Sequence, residues 1–162
     1  LRDLGKGSSP ERNANAIRLT LDAGMAPIPN QIIGFPLETW QTIHEMLDAW
    51  EDTGIATIPF LMTPYPGSQW FTEYRSDIII QYGGSLERFI QDLEDATKVT
   101  AVINKNFTPA ELVGIQTIMG MSAKTRDFDN ARRLLRLSES DSKNMMVYDE
   151  TLPRAADTSR YI

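Results

Sequence analysis

The chain has 162 residues, 41% of them hydrophobic, enough for one ordinary domain or for a half-domain with an appendage. A net charge of −6 and a pI near 4.8 argue against a nucleic-acid binder, because phosphate contacts need clustered Lys and Arg. Cysteine is absent, which excludes disulfides and thiolate metal sites within this stretch, and the single histidine, His44, builds no metal centre without partners.

Ser8 or Ser9 caps a first helix. With Ser9 as N-cap, Pro10 falls at the first helical position; with Ser8, Glu11 completes a capping box. The helix is expected to run to about Asp22, with Ile17, Leu21 and Ala14 as a narrow buried stripe and Ala23-Gly24 as its stop. Pro27 and Pro29 force an extended entry into Ile32-Ile33, a short buried strand that ends at Gly34. A helix over 38–52 follows, in which Trp40, Ile43, Leu47 and Trp50 recur at spacings of three and four before Thr53-Gly54 ends it. Residues 55–62 read as a second strand, at an edge or bulged, because Pro59 removes a ladder hydrogen bond.

After Gly67 the pattern changes. Trp70, Phe71 and Tyr74 suggest a short aromatic helix or turn, and Ile78-Ile79-Ile80 leads to the Gly83-Gly84 break. From there the chain reads as helical. Ser85 caps a segment with Leu86, Phe89, Ile90 and Leu93 on one face. Thr108-Pro109-Ala110-Glu111 combines a capping box with proline at the first helical position, and Leu112, Ile115, Ile118 and Met119 follow at helical spacing. A last helix starts near Asp127 and places Phe128, Ala131, Leu134 and Leu135 inward. Beyond Leu137, the run Ser138-Glu139-Ser140-Asp141-Ser142 and the tail lack sustained periodicity, which predicts a flexible end.

The order helix, strand, helix, strand predicts an α/β fold whose two strands are parallel neighbours joined by a right-handed crossover. No apolar run approaches the ~18 residues of a membrane helix, and no signal-peptide core is present at Leu1, so a soluble, cytoplasmic protein with no membrane partner is expected. The start at Leu1, without methionine, suggests a piece of a longer polypeptide.

The chemistry concentrates in two loops, 30–39 and 63–68, each following an apolar run. Parallel α/β sheets bind ligands at the carboxyl ends of their strands, so the two belong to one candidate site. Gly34-Phe35-Pro36 removes one Cβ, adds a planar ring and fixes a torsion; Glu38 then caps backbone amides or braces the turn, and a role as catalytic base is the weaker reading. Pro64 and Pro66 stiffen the second loop around Tyr65, either to present it to a flat heterocycle such as adenine or to pack it on the aromatic cluster.

Taken together, Lys6-Gly7-Ser8, then Ile32-Ile33-Gly34-Phe35-Pro36-Leu37-Glu38-Thr39, then Thr63-Pro64-Tyr65-Pro66-Gly67-Ser68 resemble the C-terminal half of a radical S-adenosylmethionine (SAM) domain. The resemblance is to the subgroup often preceded by a cobalamin-binding domain, and it covers the chain to about Tyr74. It implies the C-terminal half of a partial (β/α)6 TIM-like barrel over residues 1–75, a helical extension over 76–137 and a polar tail over 138–162. It also implies a SAM pocket whose adenine side is supplied by Ile33, Gly34, Phe35, Pro36 and Glu38 of the fifth-strand motif and by Thr63, Pro64, Tyr65 and Gly67 of the sixth. Leu37 stands where that motif has glycine, and Ser68 where it has threonine.

In such enzymes a [4Fe-4S] cluster, held by cysteines in the first half of the barrel, cleaves SAM reductively. The cysteine-free chain therefore implies an upstream half of the same polypeptide, an electron donor such as flavodoxin or ferredoxin, a substrate bound elsewhere and, by subgroup, cobalamin. Alone it is expected to be inactive, and no catalytic residue is assigned in it. Two other readings stand beside this one: a non-catalytic α/β module that binds a nucleotide-like ligand or a protein partner through the same loops, and a helical interaction domain over 84–137.

Several other residues have ordinary structural explanations. His44 reads as a half-exposed surface residue; Trp40, Trp50, Met119 and in part Met121 read as core. Arg132, Arg133 and Arg136 form a small solvated basic face, and Lys6 with Ser8 is a minor candidate anion site.

Overall fold

A computed structural model describes residues 7–94 and 101–151, with side chains followed as far as Lys143. Lys6 and residues 152–162 therefore lie outside the described residues. The elements in order are α1 (Pro10–Asp22), β1 (Ile32–Ile33), α2 (Trp40–Thr53), β2 (Phe60–Leu61), α3 (Gln69–Glu73), α4 (Arg75–Gln81), α5 (Leu86–Asp92), α6 (Pro109–Thr125) and α7 (Phe128–Thr151). This is a mostly helical α/β arrangement around a two-stranded parallel sheet. A barrel half is more than these strands display: each has two residues, and among the described residues they pair only with each other.

Helix starts follow the capping chemistry in the sequence. Ser9 accepts the Arg12 amide with Pro10 at the first position, Ser85 accepts the Arg88 amide, and Thr108 and Glu111 form a reciprocal capping box. The second helix starts later than its periodicity suggests. Thr39 is the N-cap of α2, exchanging bonds with Thr42, so Glu38 precedes the helix and does not cap it.

In the sheet, Ile32 pairs with Phe60 and Ile33 with Leu61. The expected strand over 55–62 shortens to two residues, Phe60 and Leu61, opposite the two residues of β1; Pro59 lies on the outward-facing register of β2, where no ladder bond is lost. Chain proximity still extends further back, since the Thr57 hydroxyl donates to the Pro29 carbonyl at 2.8 Å. Pro59 is fully buried, and its carbonyl, on the side of β2 away from β1, accepts the Gln116 side-chain amide of α6 at 2.8 Å. Gly120, one turn along α6, lies against Ile58. The outer edge of β2 is thus covered by a helix, while the amide and carbonyl of Ile32 point outward from β1.

Two apolar clusters support this frame. The first joins Ile33 to Ile43, Leu47 and Trp50 of α2, Leu112, Ile115 and Met119 of α6, Ala131 and Leu135 of α7, and Phe107. The second gathers Ile78, Phe89, Ala101 and Ile103, with Trp70, Phe71, Tyr74 and Tyr82 packed on it. The Ile78-Ile79-Ile80 run lies in helix α4 and buries Ile78 alone.

Three expectations change. α1 buries no residue: Ile17 and Ala14 are half-buried, and Leu21 is exposed. Met121 is exposed rather than core. The polar run after Leu137, where no helical periodicity was legible, continues as helix to Thr151. Lys143 pairs with Glu139 at 2.7 Å one turn away, Glu139 reaches His44 of α2 at 3.4 Å, and Ser142 is buried. The periodicity that fades is apolar; the helix here is held by polar contacts. Among the described residues no helix is long and apolar enough to cross a membrane.

Candidate functional site

The last ladder bond of the sheet runs from the Met62 amide to the Ile33 carbonyl, at 2.7 Å. Immediately beyond it the two loops leave the sheet side by side at the carboxyl ends of β1 and β2, where parallel sheets place their ligands. Phe35 of the first loop meets Trp70 of α3, the helix that follows the second loop, with ring centroids 5.3 Å apart.

The first loop turns because Gly34 takes φ +96°, a conformation open to glycine and costly for residues with a Cβ. A Cβ there would also lie 3.4 Å from the Leu112 side chain of α6. The Glu38 amide closes the turn onto the Phe35 carbonyl at 3.0 Å. In return the Glu38 carboxylate accepts the Gly34 amide. Glu38 is 8% exposed, and burial pushes its carboxyl up to about 7, against the opposing pull of the Gly34 and Phe35 amides. Of the roles open to Glu38 in the sequence, bracing the turn is the one the geometry displays.

Three of the residues nominated from the sequence have buried side chains. Ile33 belongs to the first core cluster, while Pro36 and Pro64 are buried. Their contribution to a site is backbone shape. The outward-facing parts are Leu37, 70% exposed, Tyr65, 58% exposed, the half-buried Phe35 and Thr63, and the backbone around Gly67 at φ +88°. In the second loop the Ser68 amide bonds the Tyr65 carbonyl at 3.0 Å, and the Ser68 hydroxyl caps α3 by accepting the Phe71 amide. Tyr65 therefore stands on the outer surface of a stiff turn and does not pack into an aromatic cluster.

The segment 101–107 supplies what sequence patterning did not nominate. Asn104 is 8% exposed. Its side-chain amide donates to the Phe35 carbonyl and, at 3.1 Å, to the Glu38 carbonyl. Its side-chain oxygen accepts the Asn106 and Phe107 amides at 2.7 and 2.9 Å. Asn106 adds a second bond to the Glu38 carbonyl, at 2.9 Å. The one available signal is the pair Asn104 and Asn106 set between apolar Val102-Ile103 and Phe107, just before a helix cap.

The other nominated side chains stay apart from this corner. His44 and Glu139 join α2 to α7, and Arg132 is held by Asp48 and Glu51 of α2 and by Asp129. With no cysteine in the chain, thiolate ligation of an iron-sulfur cluster is not available from it. Among the described residues no group of three or more His, Asp or Glu side chains is arranged to hold a metal ion. Comparison of the chain with models of protein families, with curated proteins and with solved structures gives no match.

Proposed function

We propose that the two strand-end loops form the adenine side of a SAM pocket, and that the chain is the C-terminal part of a radical SAM enzyme. The observation that carries this reading is the juxtaposition of the two loops at the carboxyl ends of adjacent parallel strands, locked by the Phe35–Trp70 contact. A stiff corner with an exposed tyrosine, an exposed leucine and backbone polar groups suits a flat, hydrogen-bonding heterocycle. In this reading the [4Fe-4S] cluster, its electron donor and any cobalamin are held by other parts of the enzyme. This chain's residues bind and orient the nucleoside end of SAM: Phe35 and Tyr65 offer ring faces, and the 34–38 and 63–67 backbones offer polar groups.

Titration of the chain with adenosine, S-adenosylhomocysteine and ATP, followed by amide NMR shifts, tests the assignment. Adenosine and S-adenosylhomocysteine are expected to move the amides of Gly34, Phe35 and 65–67. Shifts confined to residues outside both loops would remove the site. A nucleotide-binding module without SAM chemistry predicts instead that ATP binds most tightly. A coding sequence with no CxxxCxxC motif ahead of Leu1 would defeat the enzyme reading while leaving the binding reading intact.

A further inference from the structure

We infer that Asn104 is the positioning residue of this site, and that the segment 101–107 acts as a strap fixing the first loop relative to the second. The inference rests on the adenine-site reading for its ligand but on separate observations for its geometry. The strap runs between the two apolar clusters: Ala101 and Ile103 are buried in the second, whereas Val102 and Phe107 pack in the first. Asn104 sits at the crossing, where an apolar residue would leave polar backbone buried and unpaired.

Each end of the strap is anchored. Gln81, at the end of α4, uses its side-chain amide as a substitute strand partner, donating to the Val102 carbonyl at 2.8 Å and accepting the Val102 amide at 2.9 Å. At the other end the Thr108–Glu111 capping box ties the strap to α6. Because α4 follows α3, and α3 begins at the second loop, the strap closes a circuit from loop 34–38 through Asn104 and α4 to loop 63–68. The direct Phe35–Trp70 contact closes the same circuit from the other side.

Asn104 suits this place because it uses both ends of its amide. Two donor bonds go to the loop and two acceptor bonds to the strap. Aspartate has the same outline but only the acceptor half, and would set a carboxylate against the Phe35 and Glu38 carbonyls. Asn104→Asp therefore removes two of the three side-chain bonds from strap to loop, leaving the Asn106 bond to the Glu38 carbonyl and the strap's own turn in place.

The test compares the wild type, Asn104→Asp and Leu135→Val, a core change in α7 that lowers stability without touching these bonds. Adenosine affinity and amide hydrogen exchange are measured at pH 8 and well below every melting temperature. Asn104→Asp is expected to weaken adenosine at least tenfold and to speed exchange at Gly34 and Glu38, with Leu135→Val changing neither. Equal effects from both variants, or an unchanged affinity and exchange in Asn104→Asp, would overturn the inference. If the wild type binds no adenosine, the ligand assignment fails by itself, and exchange at Gly34 and Glu38 alone decides the positioning role. Should Asn104→Asp not fold, Asn106→Ala removes one bond to the Glu38 carbonyl from an exposed position. A severalfold loss of affinity and faster exchange at Glu38 are then expected, and no change in either would sink the proposal.

Discussion

Phe35 and Trp70 meet with ring centroids 5.3 Å apart and planes tilted by 55°. Each comes from a different side of the candidate site, so their contact is a direct energetic link between the two loop regions. A double-mutant cycle with Phe35→Leu and Trp70→Leu is expected to give a coupling of about 0.5–1.5 kcal/mol in chemical denaturation. Strictly additive losses would mean that the rings touch without holding the loops together.

The Glu38 carboxyl carries a pH signature. Its value rises from the ordinary 4.5 to about 7 in the fold, so between these limits the folded state holds a proton that the unfolded state has released. The contribution is complete below about pH 4.5 and disappears as the pH climbs through about 7, at most ~3 kcal/mol. Glu38→Gln, which does not titrate, is expected to flatten the stability profile across this window and to exceed the wild type at pH 8. Parallel profiles for the two proteins from pH 4.5 to 8 would show that Glu38 is not the group responsible.

Gly34 is required by its positive φ, since a Cβ there would make no more than ordinary contact with the Leu112 side chain, at 3.4 Å. Gly34→Ala is expected to cost about 1–3 kcal/mol, mainly through backbone strain. Shortening Leu112 to Val in the same protein should not recover it. Full recovery in the double variant, read from urea midpoints, would assign the cost to crowding alone.

Gly114 and Gly120 lie inside α6 in ordinary helical conformation. A Cβ at 114 meets nothing within 4 Å, while at 120 it makes normal contact with Ile58 at 3.5 Å. Gly114→Ala should therefore stabilise the protein by about 0.5–1 kcal/mol, and Gly120→Ala should be tolerated. A bulkier Gly120→Leu is expected to lower the melting temperature by pushing α6 off the edge of β2. An unchanged melting temperature in Gly120→Leu would count against close packing there.

Local signals in the sequence carried much of this fold. The Ser9, Ser85 and Thr108 caps and the Trp40 to Trp50 stripe follow from side-chain chemistry within a few residues, and the parallel pairing of the two apolar runs follows from the order of the elements. What was not legible depends on partners far along the chain. Asn104 looks like an ordinary loop polar residue until the Phe35 and Glu38 carbonyls come to it from far earlier in the sequence. The helix past Leu137 is similarly hidden, because its support from His44 is a tertiary contact rather than an apolar repeat. α1 shows the reverse case: its apolar stripe is legible, but its covering is incomplete.

The two sides of the small sheet differ in a way that gives it a direction. Gln116 occupies the outward carbonyl of Pro59, and α6 fills the space beside β2. On the other side, the outward amide and carbonyl of Ile32 have no strand partner among the described residues, and Phe60, its partner in the ladder, is 61% exposed. Among the described residues the sheet is therefore a one-ended template: α6 is the wall that stops its growth beside β2, and the open side is that of Ile32.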